Sequence, residues 1–189
     1  MRGLVTFGVA TAIAALASSA LAESVKSGPQ AGEEVGAFTV EKIAGNANDG
    51  VKEGAKLCYR CKMGNRPVVA IFARNNDAAV ADLMKQLDAV SADNSDKKFV
   101  AYVNLLGDDA GQLKKNAQQL VEKSGAKNVA VVVPKEHKTG PENYNLNPKA
   151  DVTVLIYKGG TVAVNHAVSG ELSGDEIAQI VKDTGKILQ

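Results

Sequence analysis

The chain contains 189 residues, 45% of them hydrophobic, and this length and composition fit one globular domain with a full core. Its 22 basic and 21 acidic side chains nearly cancel, which gives no reason to expect a nucleic acid or an anionic membrane as partner. Only two cysteines are present, so the hydrophobic core must supply the stability without a disulfide framework.

The first 22 residues have the order of a secretion signal. A basic start at Arg2 is followed by an uncharged, mainly apolar stretch over residues 4–16 and by small residues that end in the sequence ALA at Ala22. The apolar stretch is shorter than the ~20 residues that span a membrane, which argues against an anchor. The sequence therefore predicts cleavage after Ala22, export to the periplasm or beyond, and no membrane association afterwards.

Residues 23–37 are polar and rich in glycine, and we expect an irregular lead-in to a domain over residues 38–189. In that domain, short apolar runs predict strands, and apolar residues three or four positions apart predict helices. The predicted strands are 38–43, 68–73, 99–106, 129–133, 152–157 and 161–168. The predicted helices have apolar faces over residues 80–90, 113–121 and 177–188. The first is capped by Asn75, Asn76 or Asp77, the second ends at Ser124 and Gly125, and the last is opened by a capping box of Ser173 and Glu176.

The predicted elements follow the order β, β-α-β-α-β, β-hairpin, α. Strands that alternate with helices favour parallel pairing and helices on both faces of the sheet. The tight turn at Gly159 and Gly160 adds an antiparallel hairpin to one edge. The sequence thus predicts the α/β class, with a central mixed β-sheet and helices on both faces.

Three stretches in this order resemble the thioredoxin-fold proteins, in particular their redoxin and peroxiredoxin branch. Residues 36–40 (GAFTV) resemble the strand that opens redoxin domains, residues 67–73 (PVVAIFA) their first core strand, and residues 152–162 (VTVLIYKGGTV) their final hairpin. The β-α-β segment between the last two is also in the redoxin order. The resemblance covers residues 35–188 and implies a thioredoxin-like fold.

Two positions depart from the pattern of that family. The family places its reactive cysteine after the first core strand, where residues 74–80 (RNNDAAV) contain none. It also places a cis-proline before the hairpin strand, where this chain has Val152. We expect a trans bond there, because a cis bond before a non-proline residue costs about 3 kcal/mol. Both departures argue against ordinary peroxidase or thioredoxin chemistry at the family's site.

The two cysteines form a C-x-x-C pair, Cys58 and Cys61, which lies before the predicted core strand 68–73. Because that strand spans about 20 Å, we expect the pair near the opposite end of the sheet from the family's site. In an exported protein we expect the two thiols to be oxidised at rest.

Three interpretations of the pair are open. The first is a catalytic redox dithiol that exchanges with a protein thiol or disulfide partner. Lys56, Arg60 and Lys62 flank the pair in the sequence, and nearby cations favour the thiolate that this chemistry requires. A structural disulfide would instead fasten the loop to the sheet, at about 2 kcal/mol on the chain-entropy model. Half of a metal site would need two further ligands, which only His137 and His166 could supply from far along the sequence.

The two histidines and the loops predict little further chemistry. His166 is in phase with Val162, Val164 and Val168 on its predicted strand, so we expect a packed histidine. His137 lies in a polar loop, where we expect it to be solvated. The sequence has no glycine-rich loop with phosphate-binding spacing, and we predict no cofactor and no metal.

The leading hypothesis is an exported, redoxin-like thiol–disulfide protein in which Cys58 and Cys61 are catalytic. The alternative is a non-catalytic thioredoxin-fold module that binds a partner and uses the same pair as a structural disulfide.

Overall fold

The computed structural model describes residues 23–189, which form an eight-stranded sheet and four α-helices. The strands are β1 (Glu23–Ser24), β2 (Val40–Gly45), β3 (Lys56–Leu57), β4 (Pro67–Ala73), β5 (Val100–Leu105), β6 (Val129–Pro134), β7 (Val152–Lys158) and β8 (Thr161–Ser169). The helices are α1 (Tyr59–Met63), α2 (Ala78–Asp93), α3 (Ala110–Ser124) and α4 (Gly174–Asp183), with 3-10 turns at Glu142–Tyr144 and Thr184–Lys186. The predicted signal peptide lies outside the described residues.

The sheet is mixed, with the strand order β1-β8-β7-β4-β5-β6-β2-β3. Strands β4, β5 and β6 are parallel, and β7 and β2 flank them in the antiparallel sense. Every residue of β4, β5 and β6 is buried, because both faces of the sheet are covered. Pro67 is the first residue of β4, the position where a strand tolerates a missing N–H donor.

Different elements of the chain cover the two faces of the sheet. Helices α2, α3 and α4 pack on one face and form the larger hydrophobic core with it. The other face is covered by α1, the segment around Val35 and Phe38, and the 3-10 turn that contains Tyr144. The prediction of helices on both faces is therefore confirmed, although all three long helices share one face.

The element bounds agree with the sequence patterns where local signals are strong. Asp77 caps α2 by accepting a hydrogen bond from the Val80 N–H, and Ser173 and Glu176 form the predicted capping box of α4. Strand β2 begins at Val40, two residues later than predicted. The two residues of β3 pair with Val40 and Glu41, the first two residues of β2. The lead-in is mostly irregular, but its first two residues form β1 against β8.

The prediction that Val162 shares one face of β8 with Val164, His166 and Val168 is wrong for Val162. A register shift opposite Ile156 and Tyr157 places an extra residue in β8 between Val162 and Val164. Such a bulge reverses which face the following side chains occupy. Val162 therefore packs into the core beneath α1, whereas Val168 packs against the long helices.

Candidate functional site

The two cysteines are joined in a disulfide at the start of α1. Cys58 is the N-cap residue in an extended conformation, and Cys61 lies in the first turn. Their Cα atoms are 5.2 Å apart, and the Cys61 N–H donates to the Cys58 sulfur at 3.0 Å. Cys61 is exposed and Cys58 is half-buried.

Helix α1 is held on the sheet by the residues between and after the cysteines. Tyr59 is 0% exposed, and Met63 is 2% exposed. The Tyr59 ring stacks on Tyr102 of β5, with the ring centroids 5.1 Å apart. The Tyr59 hydroxyl donates to the Asp49 carboxylate at 2.6 Å. These contacts anchor α1 from inside the protein, through residues other than the cysteines.

Asp49 belongs to a buried ionic network with Lys42 of β2. The Lys42 ammonium is 2.8 Å from an Asp49 oxygen, and it also donates to the main-chain oxygens of Asn46 and Val51. All three ammonium hydrogens thus have acceptors, which is what a lysine with 1% exposure requires. The loop between β2 and β3 wraps around this charge, and Tyr59 connects the loop to α1.

The Tyr59 hydroxyl stays protonated in this environment. Burial raises the pKa of Tyr59 well above its usual range, and the hydrogen bond to the Asp49 carboxylate raises it further. A neutral hydroxyl can therefore donate to Asp49 across the physiological pH range.

Arg60 connects α1 to the turn of the β7–β8 hairpin. Its Nε donates to the Val35 carbonyl oxygen at 3.2 Å. Its guanidinium lies against Gly160, where an added Cβ would be 2.0 Å from a guanidinium nitrogen, and Gly160 has φ +94°. Glycine therefore satisfies both the turn and the close approach of Arg60. These contacts place α1 near the N-terminal end of β4, because Lys158 of the same hairpin pairs with Pro67.

The chain segment that holds the disulfide is basic. Lys56, Lys62 and Arg66 are exposed and Arg60 is half-buried, and no acidic residue occurs between residues 54 and 67. Cations near a sulfur favour its thiolate form over the thiol. The surroundings therefore suit a pair that is reduced to a thiolate.

The positions that hold the family's usual site lie at the other end of β4 and carry different groups. Arg74 follows β4 and donates to the main-chain oxygens of Ala150 and Lys138. Asp77 is occupied as the cap of α2. The peptide bond before Val152 is trans, as predicted. This end of the strand therefore has neither the thiol nor the cis-proline of the redoxins.

Both histidines make contacts away from the cysteines. His166 is partly buried, and its Nε2 is 2.9 Å from an Asp183 carboxylate oxygen. His137 is half-buried, and its Nδ1 is 2.8 Å from the Gly107 carbonyl oxygen. Among residues 23–189, no three His, Cys, Asp or Glu side chains are grouped to hold a metal ion. No helix in this part of the chain has the length and hydropathy needed to cross a membrane.

Sequence reasoning found the cysteines and their flanking cations but missed Lys42, Asp49 and Tyr59. Lys42 lies two residues after Val40 and so shares the apolar phase of β2, but a lysine side chain is normally exposed. The signal for its burial is the Asn-Asp-Gly turn at residues 48–50, which supplies the carboxylate that pairs with it.

Comparison with solved structures places this arrangement in a known fold. The chain superposes on AhpC from Mycobacterium tuberculosis with a TM-score of 0.61 at 9% identity, over 85% of this chain and 99% of that one. A proposed thiol:disulfide interchange protein, DsbE, from Chlorobium tepidum gives 0.63 at 12% identity, over 85% and 99% of the two chains. The thioredoxin domain of a thiol-disulfide oxidoreductase from Bacteroides vulgatus gives 0.57 at 14%, over 82% and 97%. The chain has a thioredoxin-like fold.

That likeness lies in the backbone and not in the sequence. No protein-family model matches the chain, and no curated protein matches its sequence. The redoxin-like order of strands and helices is therefore confirmed, and the function has to be argued from the site.

Proposed function

We propose that this protein is an exported thiol–disulfide exchange protein in which Cys58 and Cys61 are the catalytic residues. The observation that carries the proposal is an exposed disulfide cysteine, Cys61, on a helix that is anchored by other means. Tyr59 and Met63 hold α1 on the sheet, so the disulfide is free to open without loss of the surrounding fold. A protein with a redox-active disulfide needs this separation of the reacting bond from the structural contacts.

Exposure assigns different roles to the two sulfurs. In the oxidising direction, a thiolate of a reduced partner protein attacks the exposed Cys61 sulfur. A bond forms between the partner and Cys61, the Cys58–Cys61 bond breaks, and Cys58 leaves as a thiolate with the electron pair. A second partner thiolate then attacks the partner's own sulfur, and Cys61 leaves. The partner has lost two electrons to the cysteine pair, and the same steps run backwards in the reducing direction.

The charge that develops on Cys58 has donors and cations beside it. The Cys61 N–H is already 3.0 Å from the Cys58 sulfur, and a hydrogen bond to a charged acceptor is stronger than one to a neutral sulfur. Lys56, Arg60 and Lys62 lie within four residues of Cys58 along the chain and add positive potential to this segment. A better stabilised leaving thiolate speeds exchange.

Serine variants of the two cysteines test this assignment. Cys58→Ser is expected to form a stable mixed disulfide on Cys61 with an oxidised cysteine peptide, since the resolving thiol is absent. Cys61→Ser is expected to react more slowly, because its remaining thiol at Cys58 is half-buried. Intact-protein mass spectrometry measures both adducts over time. Equal rates would contradict the assigned roles, and no adduct on either variant would contradict the proposed function.

Export is part of the proposal and rests on the signal sequence of residues 1–22. Expression of the full chain in a bacterium with a periplasm tests it. We expect a periplasmic product whose mass corresponds to a chain that begins at Glu23. An uncleaved product in the cytoplasm would contradict it.

A non-catalytic binding module is the second candidate function. One observation favours it: Arg74 and Asp77 occupy the end of β4 where the redoxins hold their reactive cysteine. In this case the disulfide is structural, so Cys58→Ser would leave partner binding unchanged and lower the free energy of unfolding by more than the roughly 2 kcal/mol of the chain-entropy model.

A further inference from the structure

A groove lined by cations opens at the C-terminal end of α1, the helix that carries Cys61. It has a volume of about 710 Å³, within the range of ~300–1,000 Å³ that is usual for ligand sites. Its apolar floor includes Met63, Pro67 and Leu188. Met63 is the last residue of α1, so the floor begins two residues after Cys61. We call this feature the basal groove.

The walls of the basal groove are strongly basic. They carry four cations, Arg66, Lys97, Lys98 and Lys158, and no acidic side chain lines the groove within the described part of the chain. All four cations are exposed. Asp96 is in the same turn as Lys97 but does not line the groove.

These cations have no carboxylate side chain as partner among residues 23–189. Lys97 and Lys158 instead donate to main-chain oxygens of Leu188 and Gln189, at 2.6 and 2.8 Å. Those contacts orient the two ammonium groups, and the Gln189 oxygen belongs to the carboxyl group of the last residue in the sequence, which offsets one of the four positive charges. The concentration of charge is local, because the chain as a whole is nearly neutral.

We propose that the basal groove binds an acidic segment of the protein whose thiols exchange with Cys61. The inference rests on the proposed function, since it names the class of substrate for the same site. Complementary charge between a basic groove and an acidic segment steers the encounter and fixes which partner is accepted. The apolar floor gives the segment's carbon chains a surface to cover.

The geometry sets where the acidic residues lie in the substrate. Met63 follows Cys61 by two residues, which is a rise of about 3 Å and about half a turn around α1, so a bound segment has to pass around a helix about 10 Å in diameter. An extended peptide advances about 3.3 Å per residue. A substrate cysteine placed on Cys61 therefore reaches the basal groove with the residues about two to five positions away. Acidic side chains at those positions meet Arg66, Lys98 and Lys158.

Peptides with and without a reactive thiol separate binding from exchange. The first pair of peptides has a serine in place of the cysteine. One peptide of the pair has acidic residues two to five positions from that serine, and the other has glutamines there. Binding of this fluorescently labelled pair to the full protein is measured by anisotropy at low ionic strength. We expect the acidic peptide to bind about tenfold more tightly, with the preference declining as salt is added. Equal affinities would overturn the proposal.

Two matched triple variants test the location. Arg66→Gln/Lys98→Gln/Lys158→Gln removes three positive charges from the basal groove, and we expect it to lose the preference for the acidic peptide. The control removes the same charge elsewhere, at three other exposed lysines: Lys85→Gln/Lys115→Gln/Lys149→Gln. We expect the control to keep the preference. An equal loss in both variants would overturn the proposal, and Lys98→Gln alone repeats the test with a smaller perturbation.

The cysteine forms of the same peptides test the proposed function separately. We expect the acidic peptide to exchange about tenfold faster than the glutamine peptide. Dithiothreitol, a small neutral reductant, is expected to reduce the disulfide of the unaltered protein without use of the groove. If neither dithiothreitol nor any peptide reduces the disulfide, the proposed function fails while the serine peptides still decide the groove. If all peptides react at one rate, the groove proposal fails and the exchange function stands.

Discussion

Removal of the Tyr59 side chain is expected to destabilise the protein more than removal of the disulfide that flanks it. Tyr59 is fully buried, its ring stacks on Tyr102, and its hydroxyl donates to Asp49. Truncation of a buried aromatic residue to alanine costs about 3–5 kcal/mol in the free energy of unfolding. The change also removes one donor from the buried Asp49 carboxylate, which places Tyr59→Ala in the upper part of that range.

The disulfide closes a ring of only four residues. On the chain-entropy model a ring of that size contributes about 2 kcal/mol, so Cys58→Ser/Cys61→Ser is expected to lose no more than this. Tyr59→Phe keeps the ring and loses only the hydrogen bond to Asp49, at about 1.5–3 kcal/mol for a bond to a charged group. The expected order of destabilisation therefore places Tyr59→Ala first.

Urea unfolding followed by far-UV circular dichroism measures all three variants against the unaltered protein. Comparable m values would show that the compared states expose the same surface. A double-serine variant that loses as much stability as Tyr59→Ala would refute the reasoning. In that case the disulfide itself would hold α1, and the structural interpretation of the pair would be favoured.

Three other predictions follow from the buried polar groups. Lys42→Met should lower the free energy of unfolding by about 3–5 kcal/mol, since it leaves the Asp49 carboxylate buried without its cation; a loss below about 1 kcal/mol in urea unfolding would contradict the network. All four tyrosines of the chain are buried, and burial raises the pKa of Tyr157 to about 12. The stability that these raised pKa values contribute is present below about pH 10 and declines as the pH rises further. Tyrosinate absorbance should therefore appear together with unfolding. Reversible ionisation of the folded protein near pH 10 would contradict this. Burial opposes ionisation of Asp183, but hydrogen bonds from Lys186, Gln179 and His166 outweigh it and lower the pKa of Asp183. The stability that the Asp183 carboxylate contributes is present above about pH 4 and is lost as the pH falls through the lowered pKa. Asp183→Asn should therefore lower the free energy of unfolding less at pH 3 than at pH 7. Equal losses at the two pH values would contradict this.

The central sheet could be predicted from the sequence because its strands have strong local patterns. The run from Pro67 to Ala73 is continuously apolar and β-branched, and it forms the buried strand β4. Asp77, Ser173 and Glu176 supply short-range helix signals that act within three residues of their positions. Such signals do not depend on which segments meet in the fold.

The surroundings of the disulfide could be predicted only in part. The C-x-x-C spacing and the flanking cations are visible in the sequence, but the anchor of α1 depends on residues from distant elements. Tyr59 meets Tyr102, and Asp49 meets Lys42, only after the sheet has formed. The phase of β8 was likewise wrong at Val162, because a bulge is set by pairing with β7 and leaves no periodic signal in its own strand.

The reduction potential of the Cys58–Cys61 couple tests the central claim most directly. Purified protein that begins at Glu23 is equilibrated in glutathione or dithiothreitol redox buffers, and the free thiols are trapped by alkylation and counted by mass spectrometry. The account predicts a potential above roughly −230 mV, in the range of working oxidoreductases. A potential below roughly −300 mV is characteristic of structural disulfides and would contradict the account.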